Sequence, residues 1–429
     1  MKNKKTEVVS PNNTAPRSCV RFFSLCSVFI IIAFAAVGCA ENNTAGNGSA
    51  VTRINAPPPD ISYLSEENIS EANTDNVPVY AERTSFSFIA AGDNITYFGN
   101  TREAAKFGEK SGRDYSFLHQ YTEIESLIKN ADIAFINQET LMSDSYAISY
   151  YPRFNTPREM GHDIIEIGFD IINVANNHML DWGARGLIDT INFLRDETDA
   201  FVLGDYLSES EYTHKIYEEQ GVKIAFLSYT YGTNSGLNDH STGLVIPNIK
   251  EDVLRKQIPA AKAESDLVFV SVHWGDENMF TPNERQKYYA SLMCELGVDA
   301  IIGHHPHVIQ PVEWLESENG HKTLCVYSLG NLAAEMARDF NMIGGLIAFD
   351  VFRETNGTTG IENVQFIPTM YYFNRSFYEN RVYLFSEVPE ELVNSHGVLY
   401  YSGATISYDK LMSYIKTTIP PAFLPHFYQ

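Results

Sequence analysis

From Ser85 onward, apolar and polar positions repeat one unit: a short apolar run, a polar signature, then a stretch of helical periodicity. Phe86-Ser87-Phe88-Ile89-Ala90-Ala91 runs into Gly92-Asp93-Asn94, and Asp132-Ile133-Ala134-Phe135-Ile136 runs into Asn137-Gln138-Glu139. Ile171-Ile172-Asn173-Val174-Ala175 leads to Asn176-Asn177-His178, and residues 267–272 lead to His273-Trp274-Gly275. Val298-Asp299-Ala300-Ile301-Ile302 ends in Gly303-His304-His305-Pro306-His307, and residues 323–327 end in Ser328-Leu329-Gly330-Asn331. Near-continuous apolar runs of this length fit strands covered on both faces. Thr156-Pro157-Arg158-Glu159 and Thr281-Pro282-Asn283-Glu284 have capping-box spacing with proline at the first helical position, and Gly168 and Gly297 close the two helical patterns. Alternating strands and helices predict an α/β fold with the polar signatures gathered where the carboxyl ends of the strands converge. After Gly344 the unit breaks down: residues 345–352 and 364–368 read as strands with no comparable helix between them, so the sheet ends in hairpins. From about Pro389 the chain reads as aromatic-rich and irregular, without chemistry of its own.

The first part of the chain is a separate object. Lys2, Lys4, Lys5, Arg17 and Arg21 precede an apolar run from Phe22 to Val37 that is short for a membrane span and ends in small residues, as export signals do. Ala36-Val37-Gly38-Cys39 resembles the bacterial lipobox, which makes Cys39 the acylated N-terminus of the mature chain; an uncleaved helical anchor and cleavage to a secreted form are the alternatives. All three place the body outside the cytoplasm. The domain plan is a signal peptide at 1–38, a polar tether at 39–82, an α/β domain at 83–385 and a C-terminal extension at 386–429.

Composition narrows the function classes. With 44% hydrophobic and 20% charged residues, the 429-residue chain has the balance of a globular protein with a substantial core. A formal net charge of −23 excludes nucleic acid as a partner, because phosphates need a basic face. Behind Cys39 only Cys294 and Cys325 remain, one on a helical and one on a strand pattern, and they read as two buried free thiols.

The polar signatures carry the chemistry. On an extended backbone His305 and His307 alternate, so both imidazoles point the same way. Together the signatures offer Asp93, Asn137, Glu139, Asn177, His178, His273, Glu277, His305 and His307, the donor set of a Zn, Mn or Fe hydrolytic site with one or two divalent ions. Singly, each has a plainer role: an Asx turn for Asp93 and Asn94, a helix cap for Glu139, a packed pair for His273 and Trp274. Five such coincidences at five strand ends favour one site, in which a histidine beside the ions serves as acid for the leaving group or binds the oxyanion.

These motifs, together with Ala175-Asn176-Asn177-His178-x-x-Asp181-x-Gly183 and His273-Trp274-Gly275-x-Glu277, resemble the CapA family over roughly residues 86–352. That family is associated with synthesis and export of poly-γ-glutamate capsules and is similar to the calcineurin-like metallophosphoesterases. The resemblance implies a four-layer α/β/β/α sandwich with the site at one edge of two sheets. It implies metal ligation by Asp93, Glu139, Asn177, His273, His305 and His307, catalysis by His178, and substrate or supporting contacts from Asn137, Asp181, Glu277, His304 and Arg153. Two places depart from the phosphoesterase pattern: Ile95 stands where a histidine usually follows the first aspartate, and Asn137-x-Glu139 displaces the bridging aspartate, which leaves a single ion or a non-catalytic ion as alternatives to a two-ion centre. The implied role is that of a cell-surface protein in capsule or related anionic exopolymer synthesis and export. Its implied partners are the anionic polymer or a phosphorylated precursor, a membrane-bound export complex, and the membrane through the lipid anchor. A non-catalytic polymer-binding role and a secreted phosphoesterase unrelated to capsule are the alternatives. An acidic body repels such a polymer unless a metal or local arginines, Arg153 and Arg158 being candidates, reverse the field.

Overall fold

The strands form where the apolar runs place them. A computed structural model describes residues 82–236, 240–401 and 403–428; the stretch expected to be a signal peptide, Cys39 and nearly all of the expected tether lie outside the described residues. In chain order, β1 (Thr84–Asn94), α1 (Phe98–Ser111), α2 (Glu125–Lys129), β2 (Ile133–Gln138), α3 (Glu159–Ile167), β3 (Ile171–Asn173), α4 (Gly183–Glu197) and β4 (Phe201–Leu203) come first. Then come β5 (Lys215–Glu219), β6 (Val222–Thr230), α5 (Glu251–Glu264), β7 (Leu267–His273), α6 (Glu284–Glu295), β8 (Ala300–His304), β9 (Val312–Glu316) and β10 (Lys322–Val326). Last are β11 (Asn331–Ala333), β12 (Ile343–Arg353), β13 (Thr359–Tyr372), β14 (Arg381–Leu384), α7 (Glu390–Asn394) and α8 (Tyr408–Thr418).

One sheet has the order β14-β13-β12-β1-β2-β3-β4, with β11 also paired to β1; the other has the order β5-β6-β7-β8-β10-β9. In the first, β1 to β4 run parallel while β12 to β14 are antiparallel, the expected hairpins. In the second, β6, β7, β8 and β10 are parallel and the edge strands β5 and β9 antiparallel.

The sheets pack face to face. Phe88 of β1 lies 5.5 Å from Phe269 of β7 and 6.4 Å from Phe226 of β6, ring centre to ring centre, with Phe349 of β12 at 4.8 Å. Residues alternating with these face the helices: Val268, Val270 and Val272 of β7 bury against Leu254 and Ile258 of α5 and Ala290 and Met293 of α6. On the other side Ile164 of α3 and Phe193 of α4 join the core of the first sheet. Helix, sheet, sheet, helix is the four-layer order that the family resemblance implies. With both faces of each sheet covered, the parallel strands need the unbroken apolar runs seen in the sequence.

Three expectations need correction. The capping box of α6 lies two residues later than predicted: Asn283 Oδ1 accepts the Gln286 N–H at 2.9 Å and Gln286 Oε1 accepts the Asn283 N–H at 3.0 Å. In α3, Thr156 is no cap either, since its hydroxyl bonds to that of Thr140 at 2.7 Å and the helix starts at Glu159; Gly168 does end it, at φ 111°. The C-terminal segment is not irregular. Ser407 caps α8 by accepting the Lys410 N–H at 3.3 Å, and Leu411 and Ile415, four residues apart, enter the core of the first sheet. Cys294 and Cys325 are free and buried, as expected.

Candidate metal centre at the seam of the sheets

The first sheet supplies oxygen atoms. Asp93 ends β1, where the register with β2 slips, and its carboxylate is fully buried. Its Oδ1 accepts Asn137 Nδ2–H at 2.8 Å; Asn137 in turn accepts from Asn173 at 2.7 Å, and Asn173 accepts from the hydroxyl of Ser228 on β6. Gly92 is required beside it by close approach, because a Cβ there would stand 2.0 Å from the carbonyl oxygen of Gly330. Glu139 follows β2, its N–H donating to the Asn94 carbonyl at 3.1 Å. Asn177 follows β3, with Oδ1 2.9 Å from His273 Nε2.

Nitrogen comes from the second sheet. His273 ends β7, and its Nε2 lies 3.5 Å from Glu139 Oε1. His307 Nδ1 lies 3.4 Å from Asp93 Oδ2 and 3.0 Å from Asn331 Oδ1, while its Nε2 lies 3.8 Å from Glu139 Oε1. The ring of His305 stands 4.8 Å from that of His273 and 5.8 Å from that of His307. The two histidines do not alternate on an extended strand. Strand β8 stops at His304, and the chain passes through left-handed conformations at His305 (φ 98°) and His307 (φ 55°). Each such residue costs about 1–2 kcal/mol, and local bonds hold the turn. Asp93 Oδ2 accepts the His305 N–H at 3.1 Å, and the His307 carbonyl accepts from Asn341 Nδ2 at 2.9 Å. Strain of this kind persists where the surroundings over-determine it.

Both carboxylate oxygens of Glu139, Nδ1 of His273, Nδ1 of His305 and both ring nitrogens of His304 are buried without a hydrogen-bond partner. Unpaired buried polar atoms are costly, which makes this concentration a sign of a cation. Among the described residues, donor atoms within 4.8 Å of one another occur in three groups: Glu139, His273 and His305; Asp93, Glu139 and His307; Glu277, His305 and His307. Carboxylate and imidazole together suit a divalent transition metal, and Glu139 is common to two of the groups. The residues present fit the ion.

Burial first, then the charge of Asp93, pushes the Glu139 carboxyl well above its usual range. Burial and the neighbouring imidazoles push His273 well below its own range and His305 down to about 3. Burial likewise brings His304 down to about 4, against the pull of Asp93. These three rings are neutral, the form that binds a metal. Burial opposes the charge on His307, yet Glu139 and Asp93 outweigh it and raise the ring to about 10, a proton that a cation would displace.

The remaining expected residues surround this cluster. His178 Nδ1 lies 2.7 Å from Asp181 Oδ2, its Nε2 lies 3.4 Å from Asn234 Nδ2, and Phe154 meets the ring edge-on at 4.8 Å. Asp181 also accepts the Phe154 N–H at 2.7 Å. Arg153 donates to the Asp181 carbonyl at 2.7 Å with its guanidinium 4.7 Å from the Trp182 ring centre, so it holds the Asp181 loop. Arg158 is compensated by Asp144, Asp189 and Glu197 at 3.1, 2.8 and 3.0 Å and is not a free anion receptor. His304 stacks on Phe135 at 5.7 Å with Nδ1 3.6 Å from Asp93, behind the ligand shell; Glu277 is exposed at its mouth.

Sequence reasoning missed several members. Asn331 stood in a quoted motif without a role, and here it orients His307. Tyr231, packed 4.7 Å from the His305 ring and 6.4 Å from that of His273, follows β6, a strand whose end carries no histidine or carboxylate to flag it. Asn173 sits within an apolar run and looked like packing.

Residues 87–336 match the family described as bacterial capsule synthesis protein PGA_cap, more than half of the chain. The chain is 31% identical to the PGA biosynthesis protein CapA of Bacillus subtilis over 61% of its own length and 67% of the relative's. It is 30% identical to the capsule biosynthesis protein CapA of Bacillus anthracis over 61% and 64%. The match thus spans about two thirds of either relative. Among solved structures, a phosphatase from Mycoplasma pneumoniae overlays 67% of this chain and 94% of its own at 14% identity and a TM-score of 0.39. The NAD nucleotidase of Haemophilus influenzae overlays 78% and 60% at 13% identity and a TM-score of 0.40.

Proposed function

Since this chain belongs to the PGA_cap family of bacterial capsule synthesis proteins, we propose that it works at the cell surface in making or exporting a poly-γ-glutamate capsule or a related anionic exopolymer, through a metal-dependent hydrolytic centre. The observation that carries the reading is the set of orphaned buried donors where the two sheets meet. Asp93, Glu139, Asn177, His273, His305 and His307 would hold the ion or ions. A divalent ion in this place supplies a bound water of lowered pKa and a charge for the oxygen that becomes anionic.

The chain's own residues do the rest. Asp181 accepts the Nδ1 proton of His178, which fixes the tautomer and leaves Nε2 to exchange a proton with substrate. His178 is outside all three donor groups, so its Nε2 lone pair is free to carry a proton: Nε2 takes a proton from the attacking water as its oxygen adds to the scissile carbon or phosphorus, and returns that proton to the leaving atom as the old bond breaks. Phe154 excludes water from one edge of the ring. Because the chain carries −23, a polyanion approaches only where the ion reverses the local potential. Acylation of Cys39, which lies outside the described residues, would keep the body beside a membrane-bound export complex.

Metal content of the purified body, paired with hydrolysis of a generic phosphodiester and of poly-γ-glutamate, tests the proposal. Bound metal with turnover that disappears in His178→Ala and His305→Ala supports it; full activity in His178→Ala defeats it. A second reading is a non-catalytic polymer-binding role. Ile95 favours it: the side chain is buried with Phe154 and Ala334, so no ligand enters at that position. Metal without turnover of either substrate would establish that role. Labelling with a fatty acid, abolished in Cys39→Ser, tests the anchor.

A further inference from the structure

A cavity of about 210 Å³ opens beside the metal centre, with Tyr231 as the shared wall: one side of that residue packs on His305 at 4.7 Å, and the residue also lines the cavity. Trp274, Tyr289, Asn283, Asp276 and Arg285 are among the other lining residues. The wall is rigid. Trp274, nearly fully buried, donates from Nε1 to the Tyr327 carbonyl at 2.9 Å, and the Tyr231 N–H donates to the His273 carbonyl at 2.8 Å. One cation and one anion, both exposed to solvent, stand at the rim of these aromatic walls. Arg285 lies 5.6 Å from the centre of the Tyr289 ring and forms no ion pair among the described residues, unlike Arg158 and Arg195 with their carboxylates. Asp276 is pinned through Oδ2, which accepts from Asn283 Nδ2 at 2.8 Å.

Volume and charge select the occupant. At about 210 Å³ the cavity is below the roughly 300–1,000 Å³ of ordinary ligand pockets and admits one small unit. A phosphate dianion would be repelled by Asp276 and met by a single cation. A unit with one ammonium and one carboxylate meets both wall charges, and its aliphatic carbons lie against the aromatic faces. We propose that this cavity is the subsite for a terminal amino-acid unit of the substrate, the carboxylate on Arg285 and the amine toward Asp276, with the bond to the next unit directed past Tyr231 to the metal centre. The inference rests on the reading of that centre as hydrolytic and deepens it: cleavage takes place at a chain end.

The test uses calorimetric titration of the metal-loaded protein with L-glutamate, a γ-glutamyl trimer, and glutarate, which lacks the amine. Wild type binds the trimer and L-glutamate more tightly than glutarate. Arg285→Ala weakens binding of the amino-acid ligands roughly 10- to 100-fold, the loss of a charge-assisted pair, and Arg285→Lys restores part of it. Asp276→Asn removes the preference over glutarate. Trimer binding without free glutamate binding still supports the subsite and assigns it to polymer ends. Equal affinity in wild type and Arg285→Ala, equal binding of glutarate, or no binding of any probe would overturn it. These readouts need no turnover. Arg285-dependent binding in a protein that cleaves nothing would remove the hydrolytic reading and keep the subsite; cleavage with an unchanged KM in Arg285→Ala would do the reverse.

Discussion

The two sheets bring opposite chemistry to their common edge. The first contributes Asp93, Glu139 and Asn177, oxygen donors at the ends of β1, β2 and β3; the second contributes His273 from β7 and His305 and His307 beyond β8. Each set is uncomfortable by itself. Burial and the charge of Asp93 drive the Glu139 carboxyl toward protonation, and burial and the neighbouring imidazoles drive His273 and His305 toward neutrality. Two of the three donor groups draw on both sheets, so face-to-face packing is also what assembles the centre. Packing and the gathering of donors are here one arrangement: strand ends positioned by the aromatic layer of Phe88, Phe226 and Phe269 lead, a few residues later, to the clustered carboxylates and imidazoles.

The strongest way to break that complementarity is at Glu139, the donor common to two groups. Glu139→Gln keeps the volume but removes the charge that faces the imidazoles. Metal content should fall to background and turnover below detection. In chelator the same variant should unfold at a higher temperature than wild type, by about 1–3 kcal/mol of stability, because a carboxyl held well above its usual range by burial and by Asp93, against the smaller pull of His307, has gone. Elemental analysis and thermal unfolding read the two effects. A variant that still binds metal, or one destabilised in chelator, would break the comparison from the oxygen side. His305→Ala should likewise remove metal from the nitrogen side.

His178 lies outside this division: it joins no donor group, and the proposed reaction uses it only to carry a proton. His178→Ala should lower kcat by roughly 10²–10⁴-fold with metal content unchanged. Asp181→Asn, which leaves the ring in place but no longer fixes its tautomer, should lower kcat by about 10- to 100-fold. Loss of metal in either variant would move His178 into the ligand shell.

How much of this could be read from the sequence follows from the same physics. Strands buried on both faces write long apolar runs, so β1, β2, β3, β7, β8 and β10 were legible, as was the change to hairpins after Gly344. The second sheet was not, since periodicity reports burial and not which sheet a strand joins; only the family resemblance supplied it. Helix starts were displaced because Asn283 outcompetes Thr281 as a cap, and α8 escaped notice because its apolar positions are few and flanked by aromatics. In the centre, residues whose type announces metal chemistry stood out at strand ends. Asn173, Tyr231 and Asn331 act by holding or walling those residues, and an amide or a phenol in a strand looks the same whether it packs or positions. Gly92 and Gly303 were conspicuous only as parts of motifs; a Cβ at either would stand 2.0 Å from a carbonyl oxygen of a neighbouring segment.

A second buried carboxyl sharpens the comparison with the smallest effect on chemistry. Glu335 belongs to no donor group and accepts the Gly99 N–H at the start of α1 at 3.0 Å, with its other oxygen unpaired. Burial, partly offset by the bonds from Gly99 and Asn100, raises its carboxyl to about 8 from an ordinary value of 4.5. The folded protein therefore holds a proton at Glu335 over a range in which the unfolded chain has lost it. The contribution of this group to stability is complete below about pH 4.5 and declines as the pH rises toward 8. Unfolding midpoints in chelator between pH 5 and 8 should fall more steeply for wild type than for Glu335→Gln, while metal content and turnover at a fixed pH remain those of wild type. Parallel curves would mean that the group titrates elsewhere. A flattened curve in Glu335→Gln would show what burial alone does to a carboxyl in this fold, and so how much of the behaviour of Glu139 belongs to Asp93 and the histidines across the seam.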